Sequence, residues 1–131
     1  VIVVDASVML EYLFTTDRGT FVAERLDDSA EAAAAPCLLD VEVAQVLRRW
    51  CLTGRVGQER AVMALEDLSD FNAVRWPHEP LMWRIWELRH NFTAYDATYV
   101  ALAEILGATL LTCDRAQAHR DVINCDVELI E

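Results

Sequence analysis

Two short apolar runs most constrain what this chain can become. VIVV opens the sequence at residues 1–4 and ATLLTC stands near its end at residues 108–113. Their aliphatic and β-branched side chains suit strands of a sheet that is covered on both faces. Each run ends at an aspartate, Asp5 and Asp114. The segments between them carry helical periodicity, and strands separated by helices build a largely parallel sheet with helices on both sides. In such sheets ligands gather at the carboxyl ends of the strands, which is where both aspartates fall.

The remaining pattern fills in this α/β plan. Helices are expected over residues 7–14, 20–28 and 38–52, with Pro36 suited to the start of the third and Gly54 to its end. Residues 33–35 read as a weak strand, because alanine does not favour strands. Residues 57–68 read as a helix with Val62, Leu65 and Leu68 on its inner face, and residues 72–76 as a strand stopped by Pro77. A helix over residues 81–89 carries Leu81, Ile85 and Leu88 on one stripe. A helix over 95–106 is closed by Gly107, residues 114–120 form a short helix, and residues 127–130 a last strand. With 131 residues and no linker, repeat or low-complexity tract beyond the short run of alanines at residues 32–35, the expectation is one domain over residues 1–131.

Composition removes several functions. The formal net charge is −11 and the eleven basic residues are all arginine. Without lysine there is no P-loop and no Schiff-base chemistry, and neither GxGxxG nor GxSxG occurs. Cys37, Cys51, Cys113 and Cys125 form no CxxC pair, and with His78, His90 and His119 they complete no zinc pattern. Reduced thiols in a cytoplasmic protein are the expectation, as no run of 18 apolar residues and no basic-then-apolar leader is present. The apolar fraction of 54% leaves some surplus for a partner surface.

Four carboxylates stand where charge is awkward. Asp5 and Asp114 each have an ordinary reading as helix N-caps, Asp114 with Gln117 three residues on as in a capping box. Glu42 lies in CLLDVEVAQVLRRW, with Leu38 and Val46 about 40° to either side on the helical wheel. It therefore projects from the apolar stripe, either into a cleft or at a rim from which it reaches water. Asp96, in NFTAYDATYVALAE, shares a stripe with Val100 and Ala103. The helix dipole favours an acid there, and Thr93 is the better cap. If the four converge, like charges in a partly buried cleft require protonation or a cation. Mg²⁺ or Mn²⁺, hard ions that prefer oxygen and keep water in their shell, fit an all-carboxylate set and suit phosphoryl chemistry.

The pieces VVDAS, LLDVEVAQVLRR, TAYDATYVALAE and ATLLTCDRA, in this order and spacing, resemble a PIN domain, and within that group the VapC-type toxins of toxin–antitoxin pairs. The resemblance spans nearly the whole chain. It implies a three-layer α/β/α sandwich, Mg²⁺-dependent endonucleolytic cleavage of RNA, a VapB-like antitoxin and a homodimer. It places the catalytic and metal-holding acids at Asp5, Glu42, Asp96 and Asp114, with Ser7 and Thr112 as hydroxyl positions beside them.

An acidic RNA-binding protein must hold its substrate through local arginines. Arg48 and Arg49 beyond Glu42, and Arg115 after Asp114, are the candidates, with a solvated face or surface ion pair as the ordinary alternative. An antitoxin would bring a basic segment near the acidic site. Leu10, Leu13, Phe14 and Phe21 suggest an apolar groove for it, or plain core. Trp76, Trp83 and Trp86 are expected to pack in the core or an interface rather than to stack on bases. Two other classes stay open. One is a phosphatase with an aspartate nucleophile, weakened by the missing lysine and by DAS in place of DxD. The other is a non-catalytic PIN-like binding module.

Overall fold

A computed structural model of the chain describes residues 1–28, 30–118 and 121–131. Five parallel strands form one sheet: β1 (Ile2–Val4), β2 (Ala33–Pro36), β3 (Ala73–Trp76), β4 (Thr109–Thr112) and β5 (Val127–Leu129). Their order is β3-β2-β1-β4-β5, and every neighbouring pair is parallel. The chain thus moves outward from β1 to β2 and β3, then returns to lay β4 on the other side of β1. That reversal makes a topological switch point between β1 and β4, the place where open α/β sheets form a crevice.

The helices are α1 (Ala6–Leu13), α2 (Asp17–Asp27), α3 (Leu38–Leu52), α4 (Gln58–Asp70), α5 (Met82–Glu87) and α6 (Ala94–Leu106). Helix α6 packs on β1, β2 and β4 and is joined by α5, while α1, α3 and α4 pack together against the sheet's other face. Ile2, Val3, Val4, Leu110 and Leu111 are fully buried between these layers, as unalternated apolar runs require. Helix α6 is buried along Ala97–Ala103 and ends at Gly107, whose φ of +60° forms the left-handed C-terminal turn. Gly19 is needed for a different reason: a Cβ there would meet the Glu11 carbonyl oxygen at 1.9 Å, so glycine lets α2 close on α1. Among the described residues no helix is long and apolar enough to cross a membrane.

Four details depart from the sequence reading. Pro36 ends β2 instead of opening α3, whose N-cap is Cys37. In α4 the buried residues are Ala61, Ala64 and Leu68, while Val62 and Leu65 are exposed. The stripe of α4 that meets α3 and α1 runs through the small residues Ala61 and Ala64. The helix expected over 81–89 is a 3₁₀ turn, Glu79–Leu81, continued by the shorter α5, although Leu81, Ile85 and Leu88 are all buried as expected. Trp83 and Trp86, 83% and 61% exposed, are outside the core, which leaves only the interface half of the expectation for them.

Candidate active site

The site begins with register. Val4 pairs with Leu111 across the β1–β4 ladder, so Asp5 and Thr112 leave the sheet side by side. Asp5 is 2% exposed. Its Oδ1 accepts from the Ser7 hydroxyl at 2.6 Å and from the Val8 backbone N–H at 3.0 Å. Its Oδ2 accepts from the Thr112 hydroxyl. Asp5 is therefore the N-cap of α1, as its ordinary reading has it, and also a buried carboxylate locked in one orientation.

Ser7 and Thr112 each use their hydroxyl twice. Thr112 Oγ1 donates to Asp5 and accepts from the Asp114 N–H at 3.0 Å. Ser7 Oγ donates to Asp5 and accepts from the Cys113 N–H at 2.9 Å. Only a hydroxyl donates and accepts from one small atom. The two residues stitch the exit of β1 to the exit of β4 across the switch point.

The other acids arrive from neighbouring elements. Glu42 stands one turn into α3, half-buried, and its Oε1 accepts from the Tyr99 hydroxyl at 2.6 Å. Asp96 lies in the first turn of α6, where its N–H donates to the Thr93 hydroxyl at 3.1 Å, so Thr93 is the cap. Asp114 is exposed and caps the turn Arg115–Ala118, accepting from the Ala116 N–H at 2.9 Å. The Gln117 side chain of the expected capping box, and residues 119–120 of the expected helix, lie outside the described residues. Asp40, Glu42's neighbour, faces away and binds Arg75 at 3.0 Å.

Electrostatics ties the four together. Burial pushes the Asp5 carboxyl above the usual carboxylate range, its three hydrogen bonds pull it back, and the Asp114 charge adds to the rise. Burial raises Glu42 too, against the Tyr99 hydrogen bond, with the Asp96 and Asp5 charges adding. Asp96 is raised by burial and then by Asp114. The charges so act on one another in a closed ring, Asp5 to Asp114 to Asp96 to Glu42 and back to Asp5. Tyr99 is raised by burial and by donating to Glu42, so it stays a neutral donor. Its sequence signal is spacing alone: it lies three residues after Asp96, on the same side of α6.

Among the described residues no group of three or more His, Cys, Asp or Glu side chains is arranged to hold an ion by itself. The donor set suits a hard cation that keeps several waters and binds proteins through one or two carboxylates, which is Mg²⁺ in character. Arg48 and Arg49 are exposed on α3. Arg115 is 80% exposed and pairs with Glu131 at 2.9 Å, the surface ion pair of its ordinary reading.

Residues 2–123 match the family described as PIN domain, and the chain belongs to it. Within that family it is similar to VapC ribonucleases over nearly its full length. Ribonuclease VapC1 of Mycobacterium tuberculosis is 39% identical over 129 residues, covering 98% of this chain and 96% of the relative. Ribonuclease VapC12 of the same organism is 36% identical over 129 residues, covering 98% of each. Among solved structures, VapBC2 from Rickettsia felis, bound to a DNA fragment from its promoter, superposes with a TM-score of 0.72. It is 15% identical and covers 99% of this chain and 98% of that one, a likeness of fold.

Proposed function

We propose that this protein is a Mg²⁺-dependent endoribonuclease that acts as the toxin of a toxin–antitoxin pair. The observation that carries the reading is the placement of Asp5 and Asp114 at the exits of the adjacent strands β1 and β4, at the switch point, with Glu42 one turn into α3 and Asp96 in the first turn of α6. Membership of the PIN family and the full-length similarity to VapC ribonucleases support it.

Asp5, Glu42, Asp96 and Asp114 would hold one or two Mg²⁺ or Mn²⁺ ions, some through water. When bound, such an ion polarises the scissile phosphate and lowers the pKa of a water molecule. Asp5, fixed by Ser7, Thr112 and the Val8 N–H, sets the position of the site. Glu42 is aimed by Tyr99. Asp96 or Asp114, nearer to solvent, accepts the proton of the attacking water. In-line attack leaves a 5′-phosphate and a 3′-hydroxyl. The restricted supply of arginines favours a selected, structured RNA over any RNA.

The partner in this reading is a VapB-like antitoxin, consistent with the VapBC2 assembly among the fold's neighbours. It would place an arginine among the four acids and exclude metal or substrate. A homodimer is the proposed assembly. The test is cleavage of total cellular RNA by purified, antitoxin-free protein, in Mg²⁺ or Mn²⁺ and in EDTA, beside Asp96→Asn. Discrete fragments that require metal and vanish in the variant support the reading. Folded protein that neither cuts RNA nor binds either ion is a non-catalytic PIN-like module.

A further inference from the structure

A cleft of about 580 Å³ opens directly from the acidic ring, and no step above uses it. Ser7 and Asp114 line it on the side of the acids, together with Leu10, Phe14, Trp50 and Arg55. The aromatic residues are built into a ladder. The Phe14 and Trp50 rings meet edge to face with centroids 5.3 Å apart. The Arg55 guanidinium lies over the Trp50 ring at 4.3 Å, and the Arg60 guanidinium over Phe14 at 4.4 Å. Arg60 also donates to the Leu13 carbonyl at 2.7 Å, which fixes the ladder to the end of α1. Arg18 completes the rim, its Nη1 3.7 Å from Glu11 Oε1, a separation that leaves most of its fork unused.

The apolar group Leu10, Leu13, Phe14 and Phe21, expected to form a groove or plain core, is divided in the structure. Leu13 is buried in the core and Phe21 stands exposed outside the cleft, so only Leu10 and Phe14 of that group line it. What lines it instead is a ring plane already stacked with a guanidinium, beside a second arginine. Four other arginines are held in ion pairs, Arg25 with Glu128, Arg75 with Asp40, Arg84 with Glu104 and Arg115 with Glu131, while Arg48 and Arg49 stand exposed on α3. In a chain of net charge −11, Arg18 and Arg55 balance the charges of Glu11 and Asp114, the two acids that also line this cleft.

We propose that this cleft is a nucleotide subsite, in which an RNA base next to the scissile bond stacks against Trp50 and Arg55 and its phosphate is held by Arg18. The inference rests on the endoribonuclease reading and adds to it where the strand leaves the acids. Stacking on an aromatic face accepts any base, and the guanidinium plane extends the same surface. The edge of a stacked guanidinium keeps its N–H groups for phosphate oxygens.

The test uses Arg55→Gln, Arg55→Lys and Arg18→Gln in the full chain, none of which is among the acids or their hydroxyl partners. In steady-state cleavage of the RNA that the wild type cuts, KM rises about tenfold in Arg55→Gln while kcat stays within about twofold. Arg55→Lys, which keeps the charge and loses the plane, recovers little of that loss. Binding of a short single-stranded oligoribonucleotide in EDTA weakens in parallel. In Arg18→Gln the slope of log affinity against log salt falls by about 0.7, one phosphate contact on a single strand. Unchanged KM and unchanged oligoribonucleotide affinity in all three variants overturn the subsite. Unchanged KM with a weakened complex with the cognate antitoxin overturns it in favour of a protein groove. Wild-type protein that cuts no RNA with either metal fails the endoribonuclease reading itself, a result separate from the first two.

Discussion

Asp5 and Asp114 follow adjacent strands and stand across the same crevice, yet the protein treats them differently. Asp5 is buried, its oxygens accept from two hydroxyls and a backbone N–H, and its position is dictated by the β1–β4 register. Asp114 is exposed, and its carboxylate accepts from the Ala116 N–H two residues on. One wall of the candidate site is thus fixed to the sheet and the other opens to solvent and to the Trp50–Arg55 cleft. A preorganised wall gives up little on binding a cation, whereas the open wall can admit a bulky substrate and exchange water.

The largest expected effect breaks the fixed wall. Asp5→Asn keeps a side chain that caps helices well, so the fold should hold, but its amide has one accepting oxygen where the carboxylate has two, so the Ser7 or the Thr112 hydroxyl loses its acceptor. Cleavage should fall on the order of 10³-fold, measured as kcat at saturating metal. Asp114→Asn should cost less, about tenfold to a hundredfold. Equal losses would show that the two walls do not differ in the way their contacts suggest.

Thr112→Val comes next. It preserves shape and removes both hydrogen bonds of the hydroxyl, the one donated to the buried Asp5 carboxylate and the one accepted from the Asp114 N–H. Activity should drop about 10- to 100-fold, as it does when groups that orient metal ligands are lost. Thermal unfolding should move down by several degrees, because losing a hydrogen bond to a buried carboxylate costs about 1–3 kcal/mol. Ser7→Ala should follow the same direction. An unaltered Tm in both would mean that the stitch across the switch point does not hold the fixed wall.

Glu42→Gln tests the electrostatics and has the opposite sign on stability. The amide oxygen still accepts from Tyr99, while one member of the ring loses its charge. Glu42 is raised in the folded protein by burial and then by Asp96 and Asp5. Its contribution is therefore fully present below the unfolded value and lost as pH rises through the folded one. Metal-free Glu42→Gln should melt a few degrees above wild type at neutral pH, a shift kept small because Glu42 is only half-buried. The gap should close as pH falls into the ordinary carboxylate range. Mg²⁺ should raise the wild-type Tm and raise the variant's less. Unfolding scans across pH, with and without Mg²⁺, check the sign.

The parts of this molecule that were legible in the sequence are those governed by local pattern. Unalternated aliphatic runs gave β1 and β4, the Thr93 cap gave the start of α6, and Gly107 its end. Glu42 was visible because a charge on an apolar stripe conflicts with helical geometry. What could not be read depends on partners distant in sequence. Tyr99 meets Glu42 across 57 positions. The Phe14–Trp50–Arg55 ladder joins the end of α1 to the end of α3. The inner face of α4 follows Ala61 and Ala64 rather than Val62 and Leu65, and which face that is depends on α3 and α1, elements distant in sequence. Trp83 and Trp86 carry a buried residue's composition on an exposed helix, and sequence alone does not tell a core face from an outer one.

The smallest expected effect lies on the open wall, at Arg115. Its guanidinium reaches Glu131 at 2.9 Å with both side chains largely in solvent. An exposed pair of this kind contributes about 0–1 kcal/mol and is screened by salt. Arg115→Ala should leave Tm within about a degree. If Arg115 also touches phosphate, its loss weakens RNA affinity at low salt and the effect fades as salt rises. Arg49, which recurs seven positions after Glu42 and so faces the same side of α3, provides the control without an ion pair to break. A salt-dependent loss in Arg49→Ala and none in Arg115→Ala would place the substrate path along α3 and reduce Arg115 to its bond with Glu131. A loss in Arg115→Ala alone would draw the path over the Asp114 turn. The open wall would then contact RNA directly, and the division between a wall that holds metal and a wall that admits substrate would stand on a measured contact.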